Sequence, residues 1–121
     1  MVSYCSLICK SFRCEIDKCI INFQPLEYEI FEHLLEIRYK MRLILLYIDQ
    51  KYVNNADSFV MQNDKIIILC KLVIFYSKKY NETVCANVLR ELKETVDKLE
   101  DYEANFYEKC NSLFEAITKR I

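Results

Sequence analysis

The chain has 121 residues, no glycine, a single proline and a formal net charge of −1. This length suits one domain, and the near-zero charge argues against a general nucleic-acid binder, which normally has a basic excess. The missing glycines exclude phosphate-cradling loops, dinucleotide-binding fingerprints and the hairpin turns that need backbone at positive φ. We therefore expect one all-helical domain over residues 1–121, without a cofactor.

The first predicted helix covers about residues 3–22 and carries four of the seven cysteines. Its apolar positions recur at spacings of four and three: Cys5, Cys9, Phe12, Ile16, Cys19 and Phe23. This periodicity predicts an amphipathic helix in which cysteines are small core side chains, and Cys14 points away from the stripe. The spacing C-x3-C-x4-C-x4-C differs from paired zinc knuckles, so buried thiols are favoured over a metal site at Cys5, Cys9, Cys14 and Cys19 or over disulfides.

The second predicted helix follows Pro25 and covers about residues 26–53. Its apolar stripe again alternates steps of four and three: Ile30, Leu34, Ile37, Met41, Ile44 and Ile48. His33, the only histidine, has Glu29 and Glu36 within a helical turn, but a di-iron bundle needs Glu-x-x-His on two helices. We therefore interpret His33 as a surface residue and expect no metal. Residues 54–58, Asn-Asn-Ala-Asp-Ser, form the clearest predicted loop.

The third predicted helix covers about residues 59–80. Its middle, residues 66–76, is apolar on nearly every side apart from Lys71, which is typical of a central, surrounded helix. A strand is the alternative for such a run, but the chain offers no second strand-like run with which it could pair. The central apolar helix is expected at about residues 64–80.

The fourth predicted helix begins near Asn81, a capping residue type, and covers about residues 82–120. Its stripe keeps an alternation of three and four that is typical of coiled-coil packing, with Glu103 as the exception. At 1.5 Å per residue such a helix would extend about 58 Å. It is therefore either broken near residues 101–105 or projects at its end. The expected fold is an elongated all-α bundle of four to five helices.

The sequence predicts a protein that is not an enzyme, because no cysteine is singled out beside His33 as a nucleophile and no serine lies in a glycine-bounded elbow. It predicts instead a helical protein–protein interaction module, a small subunit or adaptor of a larger intracellular assembly. The expected partner is a helical protein, either a second copy or another chain, and no small-molecule substrate is evident. The predicted partner-binding residues are Leu99, Phe106, Leu113, Phe114 and Ile117.

Two further expectations concern location. No apolar run approaches the roughly 20 residues of a membrane span, and an odd number of cysteines suits a reducing compartment such as the cytoplasm. The abundance of Ile, Lys, Asn, Tyr and Phe, whose codons are rich in A and T, indicates an AT-rich genome.

An alternative function comes from the arrangement of an apolar central helix (66–76) between amphipathic ones. This pattern resembles the viral Bcl-2-like modulators of apoptosis and signalling, over about Leu26 to Cys110. The resemblance implies a bundle whose groove captures an amphipathic partner helix. Cellular members of that family carry Asn-Trp-Gly-Arg at the start of the central helix, whereas residues 61–65 here are Met-Gln-Asn-Asp-Lys.

Overall fold

The computed structural model describes residues 4–22, 24–51 and 57–120, and these form four helices joined by short connections. The helices are α1 (Tyr4–Asn22), α2 (Glu29–Lys51), α3 (Asp57–Thr83) and α4 (Ala86–Arg120). No strand occurs in these ranges, so the predicted all-α bundle is confirmed. Residues 54–56 of the predicted loop lie outside the described residues. The last two residues of that loop, 57 and 58, belong to α3.

Consecutive helices run in opposite directions, and α3 packs between α2 and α4 while α1 packs mainly on α4. The rings of Phe12 and Phe31 meet edge to face at 4.7 Å and join α1 to the start of α2. A single hydrophobic core contains buried side chains from all four helices. The cysteines Cys5, Cys9 and Cys19 belong to this core, and Cys14 is exposed, as the periodicity predicts.

The third helix has the expected central position between α2 and α4, but it is not surrounded. Its side chains at Ile68 and Phe75 are 56% and 54% exposed. The physical reason is that α1 lies on α4, so nothing in the described chain covers the side of α3 that faces away from the core. Two neighbours bury the remaining apolar surface of α3.

The fourth helix is unbroken over 35 residues, a length of about 52 Å. Of the two alternatives left by the sequence, a division near residues 101–105 is therefore wrong. Glu103, which interrupts the apolar stripe, is buried and has an ion-pair partner in Arg38 of α2. Because its charge is matched inside the core, the helix does not need to end or bend there.

The turn between α3 and α4 lies later than the sequence predicts. Val84 adopts a left-handed conformation (φ 49°), and its N–H donates to the carbonyl oxygen of Tyr80 at 2.7 Å. This is the helix-ending position that glycine usually occupies. Asn81 belongs to α3, where its side chain accepts from the N–H of Leu26 (2.7 Å) and donates to the Leu26 carbonyl (3.0 Å). It therefore holds the connection between α1 and α2 instead of capping α4.

Candidate functional site

A polar cluster lies inside the core where α2, α3 and α4 meet. Its members are Arg38 of α2, Asn63 of α3 and Glu103 of α4, and all three are buried. Arg38 forms an ion pair with Glu103. The Nη1 group of Arg38 donates to Oδ1 of Asn63 at 3.3 Å, and Nδ2 of Asn63 donates to the backbone oxygen of Arg38 at 2.9 Å. The guanidinium also lies 4.9 Å from the ring centroid of Phe106. The cluster fixes the three helices at one level.

Three of the buried cysteines, Cys5, Cys70 and Cys110, are held as neutral thiols. Burial raises the pKa of Cys70 to about 12 and that of Cys110 to about 11, and a hydrogen bond with Cys9 raises the pKa of Cys5. The thiolate is the reactive and metal-binding form of cysteine. These three side chains therefore behave as core residues at neutral pH.

The histidine, the possible metal ligands and the helix lengths considered from the sequence can be compared with the structure. His33 is exposed on α2, consistent with a surface role. Among the described side chains, no three His, Cys, Asp or Glu residues are grouped so that they could hold a metal ion. None of the helices in the described ranges combines the length and the apolarity that crossing a membrane requires.

Charged side chains border the packing of α1 on α4, whose apolar stripe lies in the core. Lys93 pairs with Asp17 at 2.8 Å, Asp97 pairs with Arg13 at 3.0 Å, and Arg13 also pairs with Glu100. Ser6, close to the first residue of α1, donates to Glu100 at 3.3 Å. Beyond Glu100, α4 continues for about 20 residues, or about 30 Å, whereas α1 begins at Tyr4.

The same face of α4 continues past the first residue of α1 but changes its character. Lys93 and Glu100 are seven residues apart, and the next two positions in this heptad series are Tyr107 and Phe114. Residues seven apart lie on one face of a helix. The face that contacts α1 through charged side chains therefore becomes an aromatic strip beyond Tyr4, the first described residue of α1.

The facing wall of this region comes from α2. Ile44 is about half exposed there. Between the two walls lies a cavity of about 230 Å³, which we call the open groove. Its floor is the Arg38–Glu103 pair. The groove is lined by Met41, Ile44 and Leu45 of α2 and by Phe106, Tyr107 and Phe114 of α4.

The predicted partner-binding residues have different positions in the structure. Leu99 is fully buried among the chain's own helices and presents no surface to a partner. Phe106 is also buried, but it forms part of the groove wall, and Phe114 is half exposed at the groove. The side chains of Leu113 and Ile117 lie outside the described part of the structure.

The α2 wall of the groove was not predicted as a site. The apolar stripe of α2, which includes Met41 and Ile44, has the spacing of an ordinary core-facing stripe. This spacing does not show how far α1 covers the stripe. The signal that could have found it is the difference in length between the predicted first and fourth helices. A short helix cannot cover the whole length of a long neighbour.

Comparison with known protein families, curated proteins and solved structures found no match to this chain. The open groove and the polar cluster beneath it are therefore interpreted from their own geometry.

Proposed function

We propose that this chain is a non-enzymatic interaction module that holds an amphipathic helix of a partner protein in the open groove. In this role it serves as a small subunit or adaptor of a larger intracellular assembly. The observation that carries the proposal is the continuation, beyond the first residue of α1, of the α4 face that contacts it, with Tyr107 and Phe114 in place of Lys93 and Glu100. A surface of α4 that already packs against one helix can pack against a second helix in line with it.

The groove determines the chemistry of its occupant. Its walls are mainly aromatic and aliphatic, with Asn111 as a polar member, and the two charges that line it, Arg38 and Glu103, neutralise each other. Affinity must therefore come from apolar side chains that repeat along one face of the partner helix, at spacings of three, four and seven. Ile44 and Phe114, which face the cavity from opposite walls, are the expected anchors on this chain.

The Bcl-2-like alternative shares the capture of a helix but receives less support. It requires a central helix that is covered on all sides, and α3 has an exposed side at Ile68 and Phe75. At the start of α3, the stretch that corresponds to the ligand-binding motif of that family places Asn63 on Arg38 in the core. We therefore favour a subunit or adaptor role.

Neighbouring residues on α2 supply a matched pair of variants to test the proposal. Ile44 is 55% exposed at the groove, and Leu43 is 67% exposed but does not line it. The same charge is introduced by Ile44→Asp and by Leu43→Asp. Each tagged variant is purified from the cells that make the chain, and the co-purified proteins are quantified against the wild type.

A stoichiometric helical partner that is retained by Leu43→Asp and lost from Ile44→Asp supports the proposal. We expect its affinity for Ile44→Asp to fall at least about 30-fold, the scale of an interface hot spot. Equal retention of the partner by both variants, with both folded by circular dichroism, overturns the proposal.

A further inference from the structure

A second exposed surface shares no residue with the lining of the open groove. We call it the outer face, and it is formed by the sides of α2 and α3 that point away from the core. On α2 its exposed residues are Glu29, Glu32, Glu36, Tyr39, Lys40, Leu43 and Tyr47. On α3 its exposed residues are Met61, Ile68, Lys71, Phe75, Lys78, Lys79 and Glu82.

On each of the two helices, the residues of the outer face fall into a charged half and an apolar half. The acidic half of α2 (29–36) comes before Leu43, and the basic half of α3 (71–79) comes after Met61 and Ile68. The apolar residues Met61, Ile68 and Phe75 are seven apart and form one ridge. Neither the lysines nor the glutamates of this face form an ion pair with another described side chain.

Contacts between α2 and α3 set the levels of these halves. The ammonium of Lys78 lies 5.7 Å from the ring centroid of Tyr28, and that of Lys71 lies 5.6 Å from the ring centroid of Tyr39. The acidic half of α2 is therefore beside the basic half of α3, because the two helices are antiparallel. At the other end, Arg42 pairs with Asp64 at 3.0 Å, which places Leu43 level with the apolar end of α3.

This arrangement complements itself under a two-fold rotation. A rotation axis parallel to the helices, between α2 and α3, brings the α3 of one copy opposite the α2 of another copy at the same level. The lysines at 71–79 then face the glutamates at 29–36 of the second copy, and Ile68 and Met61 face its Leu43. The same contacts occur twice, as in any isologous dimer. From this charge complementarity we infer that the chain forms a symmetric dimer through its outer face.

The size of the face sets the expected strength. From Glu29 to Tyr47, α2 extends about 27 Å, and two packed helices present a width of about 20 Å. The resulting footprint, on the order of 550 Å² per copy, is at the small end of specific interfaces. We therefore expect a micromolar dimer that is weakened by salt, because exposed ion pairs are screened.

Charge reversal tests the dimer in purified protein. Glu32→Lys with Glu36→Lys makes the outer face predominantly basic, and Lys71→Glu with Lys78→Glu makes it predominantly acidic. A control with the same change in charge, Glu108→Lys with Glu115→Lys, alters exposed residues of α4 outside this face. Sedimentation equilibrium at low and high salt measures the dissociation constant of each protein and of the two reversed proteins mixed.

The inference predicts a dimer for the wild type and the control, at least about tenfold weaker dimers for each reversed protein, and a heterodimer when the two are mixed. Leu43→Asp should weaken the dimer, and Ile44→Asp should not, which is the reverse of their effects on the groove. A monomeric wild type at high concentration, or a dimer unchanged by both charge reversals, overturns the inference.

Discussion

Arg38 of α2 and Glu103 of α4 form an ion pair inside the hydrophobic core, and Asn63 of α3 completes the cluster. This relationship explains how a long amphipathic helix accommodates a carboxylate in the middle of its apolar stripe. It also supplies the neutral floor of the open groove. The integrity of α4 and the shape of the groove therefore depend on the same pair.

Removing one partner of this pair should be costly, because the other charge then remains buried and unpaired. We expect Arg38→Met to lower the free energy of unfolding by about 3–5 kcal/mol. The double variant Arg38→Met/Glu103→Leu should lose much less, since both charges leave the core together. Urea unfolding of the two single variants and the double variant gives the coupling energy. Additive losses would show that the two side chains are not paired.

Buried thiols should make the fold sensitive to alkaline pH. The pKa of Cys70 is raised by burial from 9.0 to about 12, so the thiol ionises in the unfolded chain before it does so in the folded one. Its stabilising contribution is complete below pH 9 and decreases as the pH rises toward 12, by about 1 kcal/mol at pH 10. Urea unfolding at pH 8 and pH 10 should show a smaller loss for Cys70→Ala than for the wild type. Cys14→Ala, which removes an exposed thiol, is the control, and equal losses for both variants would contradict the prediction.

Val84 should be a site where glycine stabilises the chain. A β-branched residue at positive φ is strained by roughly 1–2 kcal/mol, and the Val84 side chain is 57% exposed, so little packing is lost on its removal. We expect Val84→Gly to raise the free energy of unfolding by about 1 kcal/mol, after the added flexibility of the unfolded chain is counted. Thermal unfolding measures the change. A lower melting temperature for Val84→Gly than for Val84→Ala would argue against a left-handed residue at this position.

Asn81 should act as a structural clamp on the connection between α1 and α2. Its side chain makes two hydrogen bonds with the backbone of Leu26, one as acceptor and one as donor. We expect Asn81→Ala to cost about 1–3 kcal/mol, because both bonds are lost. Asn81→Asp retains the acceptor and should cost less. Hydrogen exchange at the amide of Leu26 should accelerate in the alanine variant, and unchanged protection would refute the clamp.

Apolar periodicity was sufficient to predict four helices and the interior positions of Cys5, Cys9 and Cys19. A spacing of three and four residues identifies which side chains share one face of a helix, and it depends only on neighbouring positions in the sequence. The unbroken α4 could not be decided, because the partner of Glu103 is far away in the sequence and periodicity does not reveal which charge will meet it. Likewise, an apolar composition at residues 66–76 does not state how many neighbours a helix will have.

The candidate site was predictable only in part. The sequence indicated that the last helix is too long for the body and selected Phe114, which lies at the groove. It also selected Leu99, because buried and partner-binding positions share one stripe on α4. The α2 wall at Ile44 depends on where α1 begins relative to α4, and that relation arises from long-range packing and from the ion pairs of Arg13 with Asp97 and Glu100.

Site-specific photo-crosslinking tests the central claim, that the open groove holds a helix of a partner protein. A benzophenone amino acid replaces Phe114 at the groove or, as a control, the similarly exposed Leu7 of α1, in the cells that make the chain. Our account predicts a crosslink from position 114 to another protein, mapped to the apolar face of a single helix, and no such product from position 7. Identical products from both positions, or crosslinks from position 114 to this chain alone, would contradict it.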